Sequence, residues 1–418
     1  MAMDNFQNTN KARRYKAHVS IFGTTQIHLR NPWTIAMWSV AFPGFGHFLL
    51  NKYFRGCALF IWEVYINQTT KLNQAIVFSF IGNFEAAKEV LDLRMVLLYA
   101  PVYLFAIWDS YRTTVDMNNI YTLAKREDAQ FNSFAIGAFE INYLDKRNPL
   151  MAIFWAMTIP SIGQLYVHRI ILAGFTLIWT AIFIYNSHFL EAFIYLLNGN
   201  LAKSNEVLDA QWLLYLPTFY FFTIYDSYIS AIENNKLFED EQRKYLRSHY
   251  QNYIFNLMKV SKVTNMQIFA TFEHSTYLEL AITELEEHGI KNILAIPLNN
   301  RLEERKLFDN LHQSDGVSLI SKGMILAFLF STVGASRGFI LEWGPIIWGL
   351  IGAGSGFVIG FVIDLFIKKV VKRKQRLLRG KNSEVILIVE CEQRQKKHVE
   401  SILWNQLALG VAELNQTT

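Results

Sequence analysis

Long apolar runs separated by short polar stretches occupy much of the first 230 residues. In the first half the runs cover residues 33–50, a stretch starting at 56, and 95–108; they recur as 150–167, a stretch starting at 170, and 212–225. The first run of each set is interrupted by Pro-Gly-Phe-Gly or Pro-Ser-Ile-Gly. Mixed segments at 73–91 and 189–208 have the pattern of amphipathic helices that lie in a membrane interface. Apolar runs this long predict helices that enter or cross a membrane.

The two sets of runs form an internal repeat. Matched residues keep their order at a nearly constant offset: Asn31-Pro32 with Asn148-Pro149, Trp38 with Trp155, Pro43 with Pro160, Gly46 with Gly163, Gly82-Asn83 with Gly199-Asn200, and Asp109-Ser110-Tyr111 with Asp226-Ser227-Tyr228. So many ordered matches predict a duplicated membrane domain.

The lysines and arginines favour one membrane topology. The first run of each repeat can enter the membrane and return to the same side at its Pro-Gly break. In that case the basic linker between the repeats lies on the cytoplasmic side, as the positive-inside bias requires. We therefore expect two spans plus a re-entrant or interfacial hairpin per repeat, with parallel repeats. The alternative is three spans per repeat and inverted repeats, a common transporter plan.

The C-terminal region alternates between strand and helix patterns around a further apolar insertion. Strands are predicted at 266–273, 293–298, 384–391 and 411–414, and helices after Ser275 and over 399–407. The order βαβ, insertion, βαβ predicts a ferredoxin-like sandwich that is split by an apolar hairpin at 323–367.

The second helix of this hairpin carries small residues at helical spacing. Gly352, Gly356 and Gly360 fall four apart, with Gly349 nearby, and such spacing lets two helix backbones approach closely in lipid. The basic run that follows predicts a cytoplasmic anchor, or a site for anionic lipid headgroups, and includes Lys368, Lys369, Lys372, Arg373 and Lys374.

The predicted fold class is an α-helical multi-pass membrane protein with a cytoplasmic α+β ferredoxin-like module split by a transmembrane hairpin. The predicted divisions are a cytoplasmic tail (1–30), membrane repeat 1 (31–119), a cytoplasmic linker (120–147), membrane repeat 2 (148–235), a cytoplasmic helical linker (236–265), the first half of the module (266–322), the glycine-rich hairpin (323–367), and the basic anchor with the second half of the module (368–418).

Composition narrows the functional classes. The chain has 418 residues, of which 52% are hydrophobic and 18% charged, with a mean hydropathy of +0.16; a soluble domain has about 25% charged residues. The net charge is +5, but the basic residues cluster beside apolar runs, which suits a membrane face better than nucleic acid. Two cysteines far apart argue against a disulfide framework or a cysteine-rich metal site, and we expect no cleavable signal peptide before the first run.

Three ionisable residues within apolar runs are candidate sites. Asp109 and Asp226 end the third run of each repeat, and they could form paired proton or cation sites or simply meet water at the interface. Glu63 lies deeper in the second run and could hold a proton or bond to a neighbouring helix. His47 is replaced by Gln164 in the second repeat, which excludes a symmetric metal site there, and no cofactor motif is present.

Two stretches resemble known families. The order of strands and helices around Trp343-Gly344-Pro345 and Gly352-Ala353-Gly354-Ser355-Gly356 resembles the bacterial general-stress and heat-induced membrane domains, and a similar plan occurs in the small membrane subunit of alternative quinol-oxidising complexes. The Pro-(Gly/Ser)-x-Gly turn with its following Phe48 or Tyr166 resembles small bacterial two-helix membrane domains with a G-x-G signature. These resemblances imply a bacterial cytoplasmic membrane and an architecture, and no catalytic residues.

The sequence therefore predicts a non-enzymatic membrane scaffold or stress-linked sensor, without a cofactor, that recruits a protein partner or forms a homo-oligomer. The alternative is a transporter or channel that uses Asp109 and Asp226. An enzyme is the third possibility, and it lacks a nucleophile, metal or cofactor constellation.

Overall fold

The computed structural model describes residues 13–251, 265–290, 292–298, 321–371 and 385–414. The chain divides into two units. The helical unit comprises Met1–Tyr143, Arg147–Glu233 and Lys306–Lys374, and the α+β unit comprises Leu144–Lys146, Asn234–Arg305 and Gln375–Thr418. Helices dominate the described residues, and the sheets are small.

The first half of the helical unit is a β-hairpin followed by six helices. Its elements are β1 (Ala17–Ser20), β2 (Gly23–Gln26), α1 (Pro32–Ala41), α2 (Phe45–Leu49), α3 (Tyr53–Thr70), α4 (Leu72–Ile81), α5 (Phe84–Val90) and α6 (Leu93–Glu127).

The second half follows the same order of elements, with one additional short helix before its last, long helix. They are β3 (Phe134–Ile136), β4 (Ile141–Tyr143), α7 (Pro149–Thr158), α8 (Ile162–Tyr166), α9 (Ile170–Asn186), α10 (Phe189–Leu197), α11 (Leu201–Val207), α12 (Ala210–Leu213) and α13 (Tyr215–Tyr250). Each hairpin lies directly before its helices, within residues that the sequence assigned to the N-terminal tail and the linker.

The helix boundaries follow from local chemistry that the two halves share. The side chains of Asn31 and Asn148 accept hydrogen bonds from the first turns of α1 and α7, and proline follows each of them, an arrangement that satisfies otherwise free backbone N–H groups. Each mixed segment is two short helices and not one, because Gly82 and Gly199 adopt positive φ angles of 93° and 75° and end α4 and α10.

Unusual backbone angles also recur at matching places. Gly44 (φ 100°) and Ser161 (φ 114°) begin the turns into α2 and α8, and Asn51 (φ 58°) and His168 (φ 60°) end them. Because a positive φ is rare for residues other than glycine, these pairs show that the two halves fold their broken first segments in the same way.

Aromatic side chains fill the core that the two halves share. Phe45 stacks on Phe222 with ring centroids 4.0 Å apart, and Trp38 lies 5.0 Å from Tyr225. Phe60 is fully buried in the same cluster. Each such pair contributes about 0.5–1.5 kcal/mol beyond its buried area, so the two halves are held together by one continuous core.

Two described helices are long and apolar enough to cross a membrane, Leu93–Glu127 and Gly344–Ile363. Ile170–Asn186 and Phe189–Leu197 would add a third span if this pair, bent by 62°, is counted as one. Leu72–Ile81 and Pro149–Thr158 are shorter apolar helices.

The glycine-rich insertion is a pair of helices in the helical unit. Helix α14 (Thr276–Glu287) belongs to the α+β unit and precedes the insertion in the chain. The two helices of the insertion are α15 (Ser321–Gly338) and α16 (Gly344–Val371). Tyr225 and Ser321 lie within hydrogen-bond distance (3.2 Å between hydroxyl oxygens), and Asn205 donates to the carbonyl of Phe339 at 3.1 Å. The insertion therefore packs on the repeat half.

The α+β unit contains a four-stranded antiparallel sheet. In chain order its remaining elements are β5 (Asn265–Phe272), β6 (Ile293–Pro297), β7 (Val385–Glu392), α17 (Lys396–Asn405) and β8 (Gly410–Leu414). The strand order is β6-β7-β5-β8, with Phe269 opposite Ile388 on the central pair. Leu285 of α14 and Leu403 of α17 share one core with alternate strand residues such as Ile268, so both helices cover the same face of the sheet.

Candidate functional site

Asp109, on α6, is held by two side chains from its own half of the helical unit, one on α2 and one on α3. Nε2 of His47 on α2 lies 3.0 Å from Oδ2 of Asp109, and Nη1 of Arg55 on α3 donates to the same oxygen at 2.6 Å. A carboxylate only accepts, so Nε2 of His47 carries the proton. His47 is fully buried, whereas the Arg55 side chain is 50% exposed.

Asp226, on α13, has an equivalent but more deeply buried cluster. Nε2 of Gln164 on α8 donates to Oδ2 of Asp226 at 2.9 Å, and Nη1 of Arg169 donates to the other carboxylate oxygen. The same Nη1 donates to the hydroxyl of Ser230 at 2.7 Å. Asp226 is fully buried and Arg169 is only 6% exposed, so this ion pair is shielded from solvent.

The two clusters match in position but not in the source of the guanidinium. Asp226 and Gln164 each lie 117 residues after Asp109 and His47. Arg169 lies 117 residues after Lys52, not after Arg55. Each half of the helical unit thus pairs its buried carboxylate with an arginine, as a carboxylate removed from water requires, but the two arginines come from different turns of the fold.

Arg169 also ties the second repeat to the first. Its Nη2 donates to the carbonyl of Phe48 at 3.1 Å, to Oδ1 of Asn51 at 3.0 Å and to the hydroxyl of Tyr53 at 3.2 Å. Planar guanidinium groups suit such divided, directional bonding better than an ammonium group does. Arg169 is therefore both a partner for a buried charge and a link between repeats.

Close packing at one glycine per repeat positions these clusters. A Cβ on Gly46 would lie 3.1 Å from Cβ of Ser110 on α6, and a Cβ on Gly163 would lie 2.6 Å from Oγ of Ser227 on α13. Without a side chain at these positions, α2 and α8 can approach the helices that carry the aspartates. Pro-x-x-Gly in each repeat, visible in the sequence, is thus the local signal for the site.

A further buried ion pair joins the segment between β2 and α1 to α13. Arg30 donates to Glu233 at 2.5 Å, and both side chains are nearly inaccessible to solvent. Sequence reasoning missed this pair because its members are far apart in the chain. The recurrence of Arg-Asn-Pro at 30–32 and 147–149 was the available signal that this arginine belongs to the repeat.

Glu63, the third predicted site, is buried on α3 but away from both aspartate clusters. Nδ2 of Asn67 donates to it at 3.4 Å, and Asn67 in turn bonds to Asn73 and to Gln211 of the second repeat. Thr180 occupies the matching position 117 residues later. The neighbourhood is a network of amides that connects the repeats, with no second copy of the carboxyl.

The first cluster opens into a cleft of about 290 Å³, whereas the second is closed. The cleft is lined by Lys52, Arg55, Asp109, Arg112, Thr113, Asp116, Met117 and Ile120. Arg112 forms a long ion pair with Asp116, 3.8 Å between Nε and Oδ2, and lies over the ring of Trp108 at 5.3 Å.

The predicted packing glycines face α15. A Cβ on Gly352 would lie 2.2 Å from the carbonyl oxygen of Phe330, and one on Gly356 would lie 2.3 Å from that of Leu326. Gly360 would meet the backbone of α15 near Gly323, and Gly349 would make an ordinary contact with Ala335.

The side chains of the predicted lipid anchors lie outside the described residues. Lys368 and Lys369 lie in α16 where side chains are outside the described residues, and Lys372, Arg373 and Lys374 lie wholly outside them.

The α+β unit has its own polar cluster. Nζ of Lys396 lies 2.6 Å and 2.7 Å from the two carboxylate oxygens of Glu413. This hydrogen bond from Lys396 lowers the pKa of Glu413 below its usual value, while a hydrogen bond with Glu413 raises the pKa of Glu400. Burial raises the pKa of the Cys391 thiol, which keeps it protonated and unreactive at neutral pH.

Within the described part of the chain, no three His, Cys, Asp or Glu side chains come together as a metal site would require. Asp109 and Asp226 each already pair with an arginine, as expected of ion pairs that stabilise the fold. Beside Asp109 the ion pair also borders an accessible cleft.

No model of a known protein family matches the chain, and no curated protein or solved structure is significantly similar to it.

Proposed function

We propose that this chain is a non-catalytic, multi-pass membrane scaffold or sensor, built from a duplicated helical body and a cytoplasmic ferredoxin-like module. The observation that carries the proposal is the position of α15 and α16: they are inserted between β6 and β7, which are neighbours in one sheet. A module interrupted in this way is anchored to the helical unit by the chain on both sides of the insertion.

The membrane part of the proposal rests on the surface of the helical unit. Large apolar side chains there are well exposed, among them Leu197 (72%), Leu97 (77%) and Leu350 (69%). Apolar patches of this extent are unfavourable in water and suit contact with lipid chains. The matching elements and φ angles of the two halves support a duplication, and the basic linker favours parallel repeats with cytoplasmic termini.

The scaffold part rests on the α+β unit. The strand order β6-β7-β5-β8 and the two helices on one face support a ferredoxin-like sandwich with β5, β6, β7 and β8 as its strands in chain order. Its outer strands β6 and β8 offer backbone groups to a partner strand. We infer that the module recruits a protein partner or a second copy of the chain through such an edge.

Site-specific photo-crosslinking in intact membranes tests this function. A photo-reactive residue replaces Ile296 on β6 or Ala412 on β8, with Leu197 in the helical unit as the matched control. We expect discrete protein adducts from an edge position and none from the control. Only uncrosslinked monomers from both edges, with the protein folded and present in the membrane, would contradict the recruiting role.

A transporter that uses Asp109 and Asp226 is the alternative, and it has less support because each carboxylate is already paired with an arginine. It requires that Asn at both positions abolish an ion or solute flux while folded protein remains. Our proposal expects no flux in reconstituted vesicles under any imposed gradient.

A further inference from the structure

The cleft beside Asp109 is the open counterpart of a space that Arg169 fills in the second repeat. Lys52 and Thr113 line the cleft, and the residues 117 positions later are Arg169 and Ser230. In the second repeat these two are hydrogen-bonded at 2.7 Å within a fully buried cluster. The duplicated fold therefore leaves one of its two equivalent spaces unfilled by the chain itself.

The charges around the open space select an anion. Three cationic side chains and two carboxylates line it: Lys52, Arg55, Arg112, Asp109 and Asp116. The lining thus carries one net positive charge. Asp109 is engaged by Arg55 and by His47, so it presents little uncompensated negative charge to an incoming group.

Several N–H and O–H donors remain for a ligand. Arg55 uses one guanidinium nitrogen for Asp109, and its side chain is half exposed. Arg112 approaches Asp116 only at 3.8 Å, which is too long for a hydrogen bond. Lys52 has no carboxylate partner among the described residues, and Thr113 adds a hydroxyl. Guanidinium, ammonium and hydroxyl donors around a small space are typical of phosphate recognition.

We propose that this cleft binds a phosphate group, with Lys52, Arg55 and Arg112 as its charged contacts and Thr113 as a neutral donor. The single net positive charge matches the single negative charge of a phosphodiester. Met117 and Ile120 add apolar surface to the lining, and the ring of Trp108 lies under the guanidinium of Arg112. Tryptophan is enriched at the headgroup level of a bilayer. A phospholipid headgroup and free phosphate share this chemistry; only the lipid source rests on the membrane location proposed above.

Binding is tested with the purified full-length protein in a non-ionic detergent. One arm titrates inorganic phosphate by calorimetry, and the other adds dioleoyl phosphatidylglycerol or phosphate-free dioleoylglycerol and counts bound lipids by native mass spectrometry. The variant K52Q/R112Q removes two cleft charges. The matched control K125Q/R126Q removes two exposed charges farther along α6, the helix that carries Arg112, and K52R/R112K keeps the charges.

We expect wild type, the control and K52R/R112K to bind, and K52Q/R112Q to lose affinity by about 10-fold or more. Binding of phosphate without lipid adducts assigns free phosphate as the source. Phosphatidylglycerol adducts that dioleoylglycerol does not reproduce assign the headgroup. The proposal is overturned if wild type binds neither probe, or if the control loses as much affinity as K52Q/R112Q.

Lys52 and Arg112 are exposed, so their variants should fold; if the double variant aggregates, K52Q alone serves the same comparison with a smaller loss. Crosslinking at the module edges does not depend on the cleft, so failure of phosphate binding and failure of the recruiting role are separate results.

Discussion

Replacing Gly352 by alanine should disrupt the contact between α15 and α16, while the same change at Gly354 should not. The two glycines lie on one helix, two residues apart. A Cβ on Gly352 would stand 2.2 Å from the carbonyl oxygen of Phe330, whereas a Cβ on Gly354 meets nothing within 4 Å. The pair therefore isolates the effect of close packing from the effect of removing a glycine.

The magnitude follows from that distance. An ordinary contact between such atoms begins at 3.4 Å, so α15 and α16 would have to separate locally by about 1.2 Å, at the expense of dispersion contacts along the hairpin. Overpacking of this kind costs about 1–3 kcal/mol. Alanine also favours helix over glycine by about 1 kcal/mol, and this gain is common to both variants. We expect G352A to be about 1–3 kcal/mol less stable than G354A.

The free energy of unfolding is measured by titrating SDS into mixed micelles and following far-UV circular dichroism. G356A, whose Cβ would lie 2.3 Å from the carbonyl oxygen of Leu326, should behave like G352A. Equal unfolding midpoints for G352A and G354A would refute the inferred role of backbone contact in this hairpin.

Three further predictions concern the aspartate–arginine pairs, the turn into α8 and the polar cluster of the α+β unit. Arg169→Met should destabilise the protein by about 3–5 kcal/mol because it leaves a buried carboxylate without its cation, whereas Arg55→Met should cost less than about 1 kcal/mol because that guanidinium is half exposed; equal losses in detergent unfolding would contradict this. Ser161→Gly should raise stability by about 1 kcal/mol, since a φ of 114° strains any residue with a Cβ, and a lower melting temperature would argue otherwise. Lys396 lowers the pKa of Glu413 below 4.5, so the stabilisation that this carboxylate provides is present above that pH and disappears as the pH falls; hydrogen exchange of β8 in wild type and E413Q should differ at pH 7 and converge in acid.

Much of the fold is readable from short-range patterns. The Pro-x-x-Gly breaks, the Gly-Asn pairs and the asparagine caps each act within a few residues, and their recurrence predicts matching helices in both halves. The strands of the α+β unit follow from short apolar stretches, and β5, β6, β7 and β8 lie within a residue or two of their predicted bounds.

The rest depends on contacts between distant residues. The hairpins β1–β2 and β3–β4 also lie 117 residues apart, but they are short and have few identical residues, so the sequence does not predict them as part of the repeat. Asp109 and Asp226 were identifiable as ionisable groups in apolar runs. Their arginine partners were not identifiable from the sequence, because Arg55 and Arg169 occupy different positions in the two repeats. Only the three-dimensional structure shows that the two arginines have equivalent roles.

Labelling of single cysteines with a membrane-impermeant maleimide most directly tests the proposed arrangement in the membrane. In a background with Cys57 and Cys391 replaced by alanine, cysteine is placed at Lys88 on α5, at Lys203 on α11, or at Lys397 on α17 of the α+β unit. We predict that the Lys88 and Lys203 positions are labelled in intact cells and that the Lys397 position is labelled only after permeabilisation. Opposite sidedness of the Lys88 and Lys203 positions, or labelling of the Lys397 position from outside, would contradict parallel repeats with a cytoplasmic module.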